Sequence, residues 1–279
     1  MHLDRSKSLV LLALISLSLV LVSCSTGPRP PEKGTPEFYW QAARETYAAA
    51  DYLKTAEHLD ALGKTDNQFT SKAQSWRLVL TSGMTKAFME LADNYEYGAR
   101  ANKANPTPFR KRVSTYRNMA GQLSLQFAET FRAFRQSHKE AEIVLSFPFP
   151  TGSAGQVALM SKLGNGIFLS DAEQETAQKR MMERCILIGV AKAVGAGEDT
   201  AKARAMFQGG DVKVPRAVFM TAMANALYDQ SQLFGRMKLD KPDQMKLFAN
   251  ESLEALKDVP ETKETKALAA KIQASLKKQ

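Results

Sequence analysis

Apolar residues recur every three or four positions over most of this chain, which is the period of an amphipathic helix. The clearest stripe follows Pro108 and consists of Phe109, Val113, Tyr116, Ala120, Leu123, Phe127, Phe131 and Phe134. An earlier stretch from Trp76 to Gly98 has the same period, and a break or bend is expected near Gly83 because glycine weakens helices. The pattern predicts an all-α fold, built as a helical-hairpin solenoid or as a bundle.

Prolines and capping residues predict where the first helices begin and end. Pro36 occupies a first helical position, and the chain is expected to turn at Asp51 and Tyr52. Gly63 then ends the second helix as a C-terminal cap. Two short antiparallel helices are therefore expected over 36–63.

The later part of the chain has further boundary signals. Ser170 and Glu173 have the spacing of a capping box, and the helix that they start is expected to run to about residue 194. Other helices are expected over 199–207, after Pro215, after Pro242 and over 261–278, the last being basic and amphipathic like a capping helix. Residues 142–150 are expected to be extended, and the glycine-rich residues 152–166 to form a loop with at most a short helix.

The first 23 residues have the pattern of a secretory signal peptide. Basic residues precede an apolar and serine run over 9–22, whose 14 positions fall short of a bilayer span, which needs roughly 20. The run is followed by Cys24, and Leu21-Val22-Ser23-Cys24 resembles the lipobox of bacterial lipoproteins. The resemblance implies that residues 1–23 are removed and that Cys24 becomes an N-terminus carrying palmitate and other acyl chains.

The resemblance to lipoproteins also implies a location. Ser25 follows the cysteine where proteins retained in the inner membrane often have Asp, so the periplasmic side of the outer membrane is expected. Residues 24–35 are rich in proline and glycine and are expected to be a tether with a reach of roughly 34 Å. The all-helical domain is then expected to span 36–279.

Two stretches resemble tetratricopeptide repeats. Residues 40–62 contain an aromatic residue, small residues, Tyr47, the turn and Ala56, and residues 215–260 end in Ala255-Leu256 followed by Pro260. The resemblance implies helical pairs near 36–63 and 215–260 that present a groove for a peptide or helix. The chain departs from the family at Ser252, where a large apolar residue is preferred, and no 34-residue period is visible over 67–214.

Charge changes this picture at one place. The chain has 279 residues and a formal charge of +9, which taken alone favours an anionic partner such as nucleic acid. Without residues 1–23, 36 basic residues remain against 28 acidic ones, or +8. Residues 100–139 hold nine basic residues against Glu129, again +8, and export would exclude nucleic acid as the partner.

The candidate binding patch consists of the basic residues Arg100, Lys103, Arg110, Lys111, Arg112, Arg117, Arg132 and Arg135, with Lys139 at its end. Two interpretations stay open. The charges are either the solvated face of a helix or a docking site for an acidic envelope protein, an anionic glycan or lipid head groups.

Candidate catalytic chemistry is sparse. His58 and His138 are expected at the surface, and Cys185 is expected to be a core residue. Three carboxylate pairs could in principle act on glycans but are typical of solvated helix faces: Glu173 with Glu175, Glu251 with Glu254, and Glu261 with Glu264. No catalytic residue, metal ligand or cofactor is predicted.

The sequence therefore predicts a membrane-anchored periplasmic lipoprotein that is not an enzyme. Its expected role is to bind or assemble other proteins of the cell envelope, which are its expected partners together with the membrane that holds the lipid anchor. The alternatives are a module that binds polyanions through residues 100–139 and, less favoured, a hydrolase of envelope polymers.

Overall fold

A computed structural model describes residues 30–277. The signal peptide over 1–23, Cys24 and residues 25–29 of the expected tether lie outside the described residues, as do residues 278 and 279. The described part is all-α, as predicted, apart from one two-stranded sheet. In chain order its elements are α1 (Pro36–Ala48), α2 (Tyr52–Leu62), α3 (Thr70–Ala101), α4 (Thr107–Ser137), β1 (Glu142–Leu145), α5 (Leu159–Gly164), α6 (Asp171–Ala193), α7 (Thr200–Met206), β2 (Val212–Pro215), α8 (Arg216–Ser231), α9 (Pro242–Leu256) and α10 (Lys263–Lys277).

The first two helices form the antiparallel pair expected over 36–63. The side chain of Thr35 accepts a hydrogen bond from the backbone N–H of Phe38 at the start of α1, and Asp51 caps α2 in the same way through Lys54. Between the helices Ala50 has a φ of 59°, which lets the chain reverse within three residues. The pair packs onto α3 through an aromatic cluster that includes Trp40, Tyr47, Trp76 and Phe147.

The long helices α3 and α4 form the centre of the molecule. Every member of the predicted apolar stripe of α4 is buried, from Phe109 to Phe134. Phe88 and Tyr95 of α3 are fully buried and lie against Tyr116 of α4, with ring centroids 5.8 and 5.6 Å apart. The stripe was therefore a correct prediction of the face that packs.

The expected break near Gly83 is wrong, because α3 continues through it from Thr70 to Ala101. A Cβ atom on Gly83 would lie 2.7 Å from the Cα of Ile186 in α6, closer than atoms can pack. Gly189, one turn further along α6, lies on the same crossing, with Gly83 Cα 3.8 Å from where its Cβ would be. Gly83 is therefore needed where two helices cross at close range.

Residues 142–145 are extended, as expected, but their partner strand was not predicted. β1 pairs antiparallel with β2, so that Ile143 faces Val214 and Leu145 faces Val212. These four side chains are buried in the core, while the residues between them point outwards. The N–H of Arg216 donates to the carbonyl of Ala141 at 2.8 Å and extends the ladder into the start of α8.

The predicted helices after residue 215 are present: α8 packs on the central pair, and α9 packs on α8. Ser252 of α9 is buried against α8, where its hydroxyl donates to the carbonyl of Ala224 at 2.6 Å. The last helix, α10, buries Leu268 and Ile272 against this pair. No helix within residues 30–277 has both the length and the apolar composition that a membrane span needs.

Candidate functional site

The basic residues of the candidate patch do not all face solvent. On the C-terminal half of α4, Arg132 pairs with Glu251 at 2.8 Å, and the Nε of Arg135 pairs with Asp258 at 2.8 Å. Arg135 also donates to the carbonyl of Glu254 at 3.0 Å, and the Nζ of Lys139 donates to the carbonyl of Arg135 at 2.6 Å. This half of the patch joins α4 to α9.

In the N-terminal half of the patch, some basic residues are close to carboxylates and others are not. Arg112 lies 4.0 Å from Asp171, the limit of an ion pair. Within residues 30–277, no carboxylate forms an ion pair with Lys103, Arg110 or Lys111. Of these three, Arg110 lines a cavity between helices.

That cavity, called here the basic cavity, lies between α3, α4 and the turn before α9. Its volume is about 430 Å³, and its polar lining consists of Glu96, Arg100, Arg110, Ser114, Arg117 and Lys238. Val113, Ala99 and Leu239 supply the apolar part of the lining. The sequence analysis did not identify Lys238, because no local pattern connects it with residues more than 100 positions earlier.

Glu96 is the carboxylate of the basic cavity and is already occupied. It pairs with Arg100 at 2.8 Å and with Arg117, whose side chain is largely buried. Partial burial acts to raise the pKa of Glu96, but the hydrogen bonds and charges of Arg100 and Arg117 outweigh it and hold the pKa below its ordinary value. Lys238 lies 3.5 Å from Asp93, so Arg110 is the lining cation without an ion pair among the described residues.

A second concave region runs along α8 and is called here the α8 groove. It consists of two adjoining cavities of about 260 and 430 Å³, which share Lys192, Ala222 and Asn225 in their linings. The floor is one face of α8, formed by Val218, Thr221, Ala222, Asn225, Ala226 and Asp229. The walls come from α3 and α6 at one end and from α6 and α10 at the other.

The floor of the α8 groove has a peculiar composition. Its residues are mostly small, so the helix backbone lies close to the groove surface. The opposite side of α8 is buried in the core through Phe219 and Leu227. From Val218 to Asp229 the helix rises about 17 Å, which corresponds to about five residues of extended chain.

A buried amide without partners lies at one end of the α8 groove. Gln230 lines the smaller cavity and is only 3% exposed, yet neither its Nε2 nor its Oε1 has a hydrogen-bond partner among the described residues. A buried unpaired polar group costs about 1–3 kcal/mol, so its presence needs an explanation. In the sequence, Gln230 follows Phe219, Met223 and Leu227 at helical spacing, so the available signal was a polar residue among apolar ones on one helix face.

Charges of both signs surround the same end of the groove. Glu90 of α3 pairs with Arg184 of α6 at 2.7 Å and lies 3.9 Å from Lys86. Lys192 pairs with Glu198 at 3.0 Å, and its hydrogen bond and charge lower the pKa of Glu198. The smaller cavity is thus lined by ion pairs of both signs together with apolar side chains.

Cys185 also lines this cavity but is a core residue, as predicted. Its side chain is buried, and burial, with a contribution from the charge of Glu90, raises the pKa of the thiol to about 12. The thiol is therefore protonated at neutral pH.

One expectation about the histidines is wrong. His138 is buried and stacks on Phe134 with ring centroids 4.0 Å apart. The hydroxyls of Ser71 and Ser137 lie 2.7 and 2.9 Å from its two ring nitrogens. His58 is half-buried, with its ring 6.2 Å from that of Tyr39.

Each of the three candidate carboxylate pairs has at least one member in an ion pair with a neighbouring residue. Glu173 completes the predicted capping box with Ser170 and binds Lys162, and the Lys162 hydrogen bond is the main reason that its pKa is lowered to about 2. Glu254 and Glu261 pair with the exposed lysines 257 and 266. Within residues 30–277, no three His, Cys, Asp or Glu side chains are grouped so that they could hold a metal ion.

Comparison with known proteins adds no relative to this description. No protein-family model, no curated protein and no solved structure matches the chain.

Proposed function

We propose that this protein is a bacterial lipoprotein, held on the periplasmic side of the outer membrane through Cys24, that binds a peptide segment of another envelope protein in the α8 groove. The observation that carries the proposal is the unpartnered amide of Gln230 at one end of this groove. No catalytic step is part of the proposal.

The α8 groove suits an extended peptide for three reasons. Its small-residue floor allows a peptide chain to approach the helix closely. Asn225 and Gln230 offer amide donors and acceptors of the kind that pair with a peptide backbone. The ion pairs Glu90–Arg184 and Lys192–Glu198 leave the lining of the smaller cavity near neutral, which suits a peptide without a large net charge.

The basic patch over 100–139 is a less suitable docking surface for a partner protein than the α8 groove. Arg117, Arg132 and Arg135 are engaged with carboxylates of the same chain, so a partner would have to displace those contacts. Steering of an acidic partner would then come from cations such as Lys111, which has no ion pair within residues 30–277.

Selection of linear peptides tests the groove. The full chain in detergent micelles is used to select from a library of random displayed peptides, and the affinity of each selected peptide is measured by fluorescence polarisation. Ala222 lies in both cavities of the groove, so Ala222→Phe fills it and is expected to weaken binding at least tenfold. Ala172 is exposed on α6 outside the cavities, and Ala172→Phe is the matched control, with no expected change.

Two results would overturn the proposed groove: selection that enriches no peptide, or peptides that bind Ala222→Phe as well as the unsubstituted protein. Thermal unfolding of both variants checks that they are folded.

Membrane fractionation tests the lipid anchor separately. Cys24→Ala removes the thiol that would carry the lipid and is expected to release the protein from membranes. If the Cys24→Ala variant stayed on membranes and could be extracted only by detergent, the proposed lipid anchor would be contradicted. That result would not bear on the proposed peptide groove.

A further inference from the structure

The basic cavity brings together cations from three separate parts of the chain. Arg100 comes from the last turn of α3, Arg110 and Arg117 from one face of α4, and Lys238 from the turn before α9. Residues seven apart on a helix lie two turns apart on the same face, which explains how both α4 arginines reach the cavity. Four cations therefore line a concave surface around one carboxylate.

The carboxylate of Glu96 does not neutralise all of the positive charge in the basic cavity. Glu96 accepts from both Arg100 and Arg117, and Lys238 has Asp93 at 3.5 Å. Arg110 has no ion pair within residues 30–277, and the Nε of Arg117 is buried without a hydrogen-bond partner there. The cavity thus has an excess of guanidinium donors, which are the groups that bind phosphate most specifically.

We propose that the basic cavity binds the phosphate group of a small organic phosphate. Arg110 is the principal ligand, with Arg100, Arg117 and Lys238 supplying further positive charge and the exposed hydroxyl of Ser114 a hydrogen bond. This site is separate from the α8 groove and does not depend on the proposed peptide.

The size of the cavity favours a phosphate with an organic body. About 430 Å³ is several times the space that one tetrahedral ion fills, given that a water molecule occupies about 30 Å³ in the liquid. Val113 and Leu239 offer apolar surface beside the cations, against which a short carbon skeleton can pack.

The placement of the cations favours a solute over a membrane surface. A polybasic surface that binds lipid head groups needs exposed cations on one open face. Here Arg117 is largely buried and Lys238 is partly buried, with Arg100 and Arg110 more exposed, and Arg132 and Arg135 are held in ion pairs elsewhere. We therefore assign the cavity to a soluble phosphate ester.

Calorimetric titration of the full chain with glycerol 3-phosphate tests the assignment, with glycerol as the neutral probe. Saturable binding of glycerol 3-phosphate and none of glycerol is expected. Arg110→Gln is expected to weaken binding about tenfold, which corresponds to the loss of one charge-assisted hydrogen bond. Lys111→Gln removes the same charge one residue away, outside the cavity lining, and is expected to leave binding unchanged.

Lys238→Gln is the second variant, because it reaches the cavity from another part of the chain and does not depend on the folding of α4. It is expected to weaken binding severalfold, and Ala222→Phe is expected to have no effect. The proposal is overturned if glycerol 3-phosphate does not bind, or if Lys111→Gln weakens binding as much as Arg110→Gln. Binding only to vesicles that contain phosphatidylglycerol, and not to the soluble ester, would overturn it as well.

Discussion

Gly83 of α3 lies so close to Ile186 of α6 that a Cβ atom on it would be 2.7 Å from the Ile186 Cα and 3.0 Å from its backbone nitrogen. Alanine favours a helix over glycine by about 1 kcal/mol, but here backbone atoms would have to move apart. We expect Gly83→Ala to lower the free energy of unfolding by about 1–3 kcal/mol in chemical denaturation.

Gly164→Ala is the matched control for this substitution. Gly164 ends α5 and has no atom within 4 Å of the position that a Cβ would take, so its replacement is expected to be neutral or slightly stabilising. If Gly83→Ala were as stable as the unsubstituted protein, the close crossing of α3 and α6 would be wrong.

The amide of Gln230 is expected to reduce stability in the free protein. Gln230→Met replaces an unpaired buried amide with an apolar side chain of similar length, and should raise the free energy of unfolding by about 1 kcal/mol. The same substitution should weaken binding of peptides selected on the α8 groove. Thermal unfolding and fluorescence polarisation measure the two effects.

Gln174 provides the comparison. It is also buried, and its Oε1 likewise has no partner among the described residues, but its Nε2 donates to the carbonyl of Leu169 at 2.7 Å. Gln174→Met would leave that carbonyl unpaired and is expected to destabilise the protein. Destabilisation by Gln230→Met, equal to that by Gln174→Met, would show that the Gln230 amide has a partner in the free protein.

The lowered pKa of His138 predicts how the free energy of unfolding changes with pH. Burial lowers its pKa below the ordinary value of 6.5, with Arg216 adding to the shift and Glu140 opposing it. The unfolded chain therefore takes up a proton at higher pH than the folded protein, and the free energy of unfolding falls as pH decreases below about 6.5. His138→Gln should flatten this dependence when denaturation is followed between about pH 7 and pH 5.5.

His58→Gln is the control. The pKa of His58 is also lowered, first by burial and then by Lys54, so this variant should remove only its own part of the slope. An unchanged slope in His138→Gln would mean that His138 does not contribute to the pH dependence.

The contacts of Arg135 show how the basic patch contributes to the stability of the folded protein. It joins α4 to the end of α9 through Asp258 and the carbonyl of Glu254, so Arg135→Gln is expected to cost about 1 kcal/mol, and less at high salt. Lys111→Gln, which breaks no ion pair in the part of the chain that the structure describes, should leave the denaturation midpoint unchanged. Equal stability of the two variants would contradict a structural role for Arg135.

The helices could be predicted because their signals are local. The apolar stripe of α4 and the capping box of Ser170 and Glu173 each lie within a few turns of chain. Gly83 was misinterpreted because its role depends on Ile186, about a hundred residues away. β2 was missed for the same reason: four residues have too short a pattern to indicate a strand without its partner.

The candidate sites were less accessible to sequence reasoning. The charge excess over 100–139 could be counted, but the carboxylates that neutralise Arg132 and Arg135 come from 251 and 258, after α8. Lys238 joins Arg110 only through the packing of three segments. The floor of the α8 groove has small, mostly neutral residues, which carry no motif, and Gln230 alone differed from its apolar surroundings.

The β1–β2 ladder has a consequence for how the chain folds. The helix pairs α1 with α2, α3 with α4 and α8 with α9 are sequence neighbours and can meet after short loop closures, whereas the ladder joins segments separated by residues 146–211. During synthesis β1 is complete well before its partner emerges. Until then Ile143 and Leu145 belong to an unpaired strand, and this interval is when the nascent chain is most open to strand-mediated aggregation.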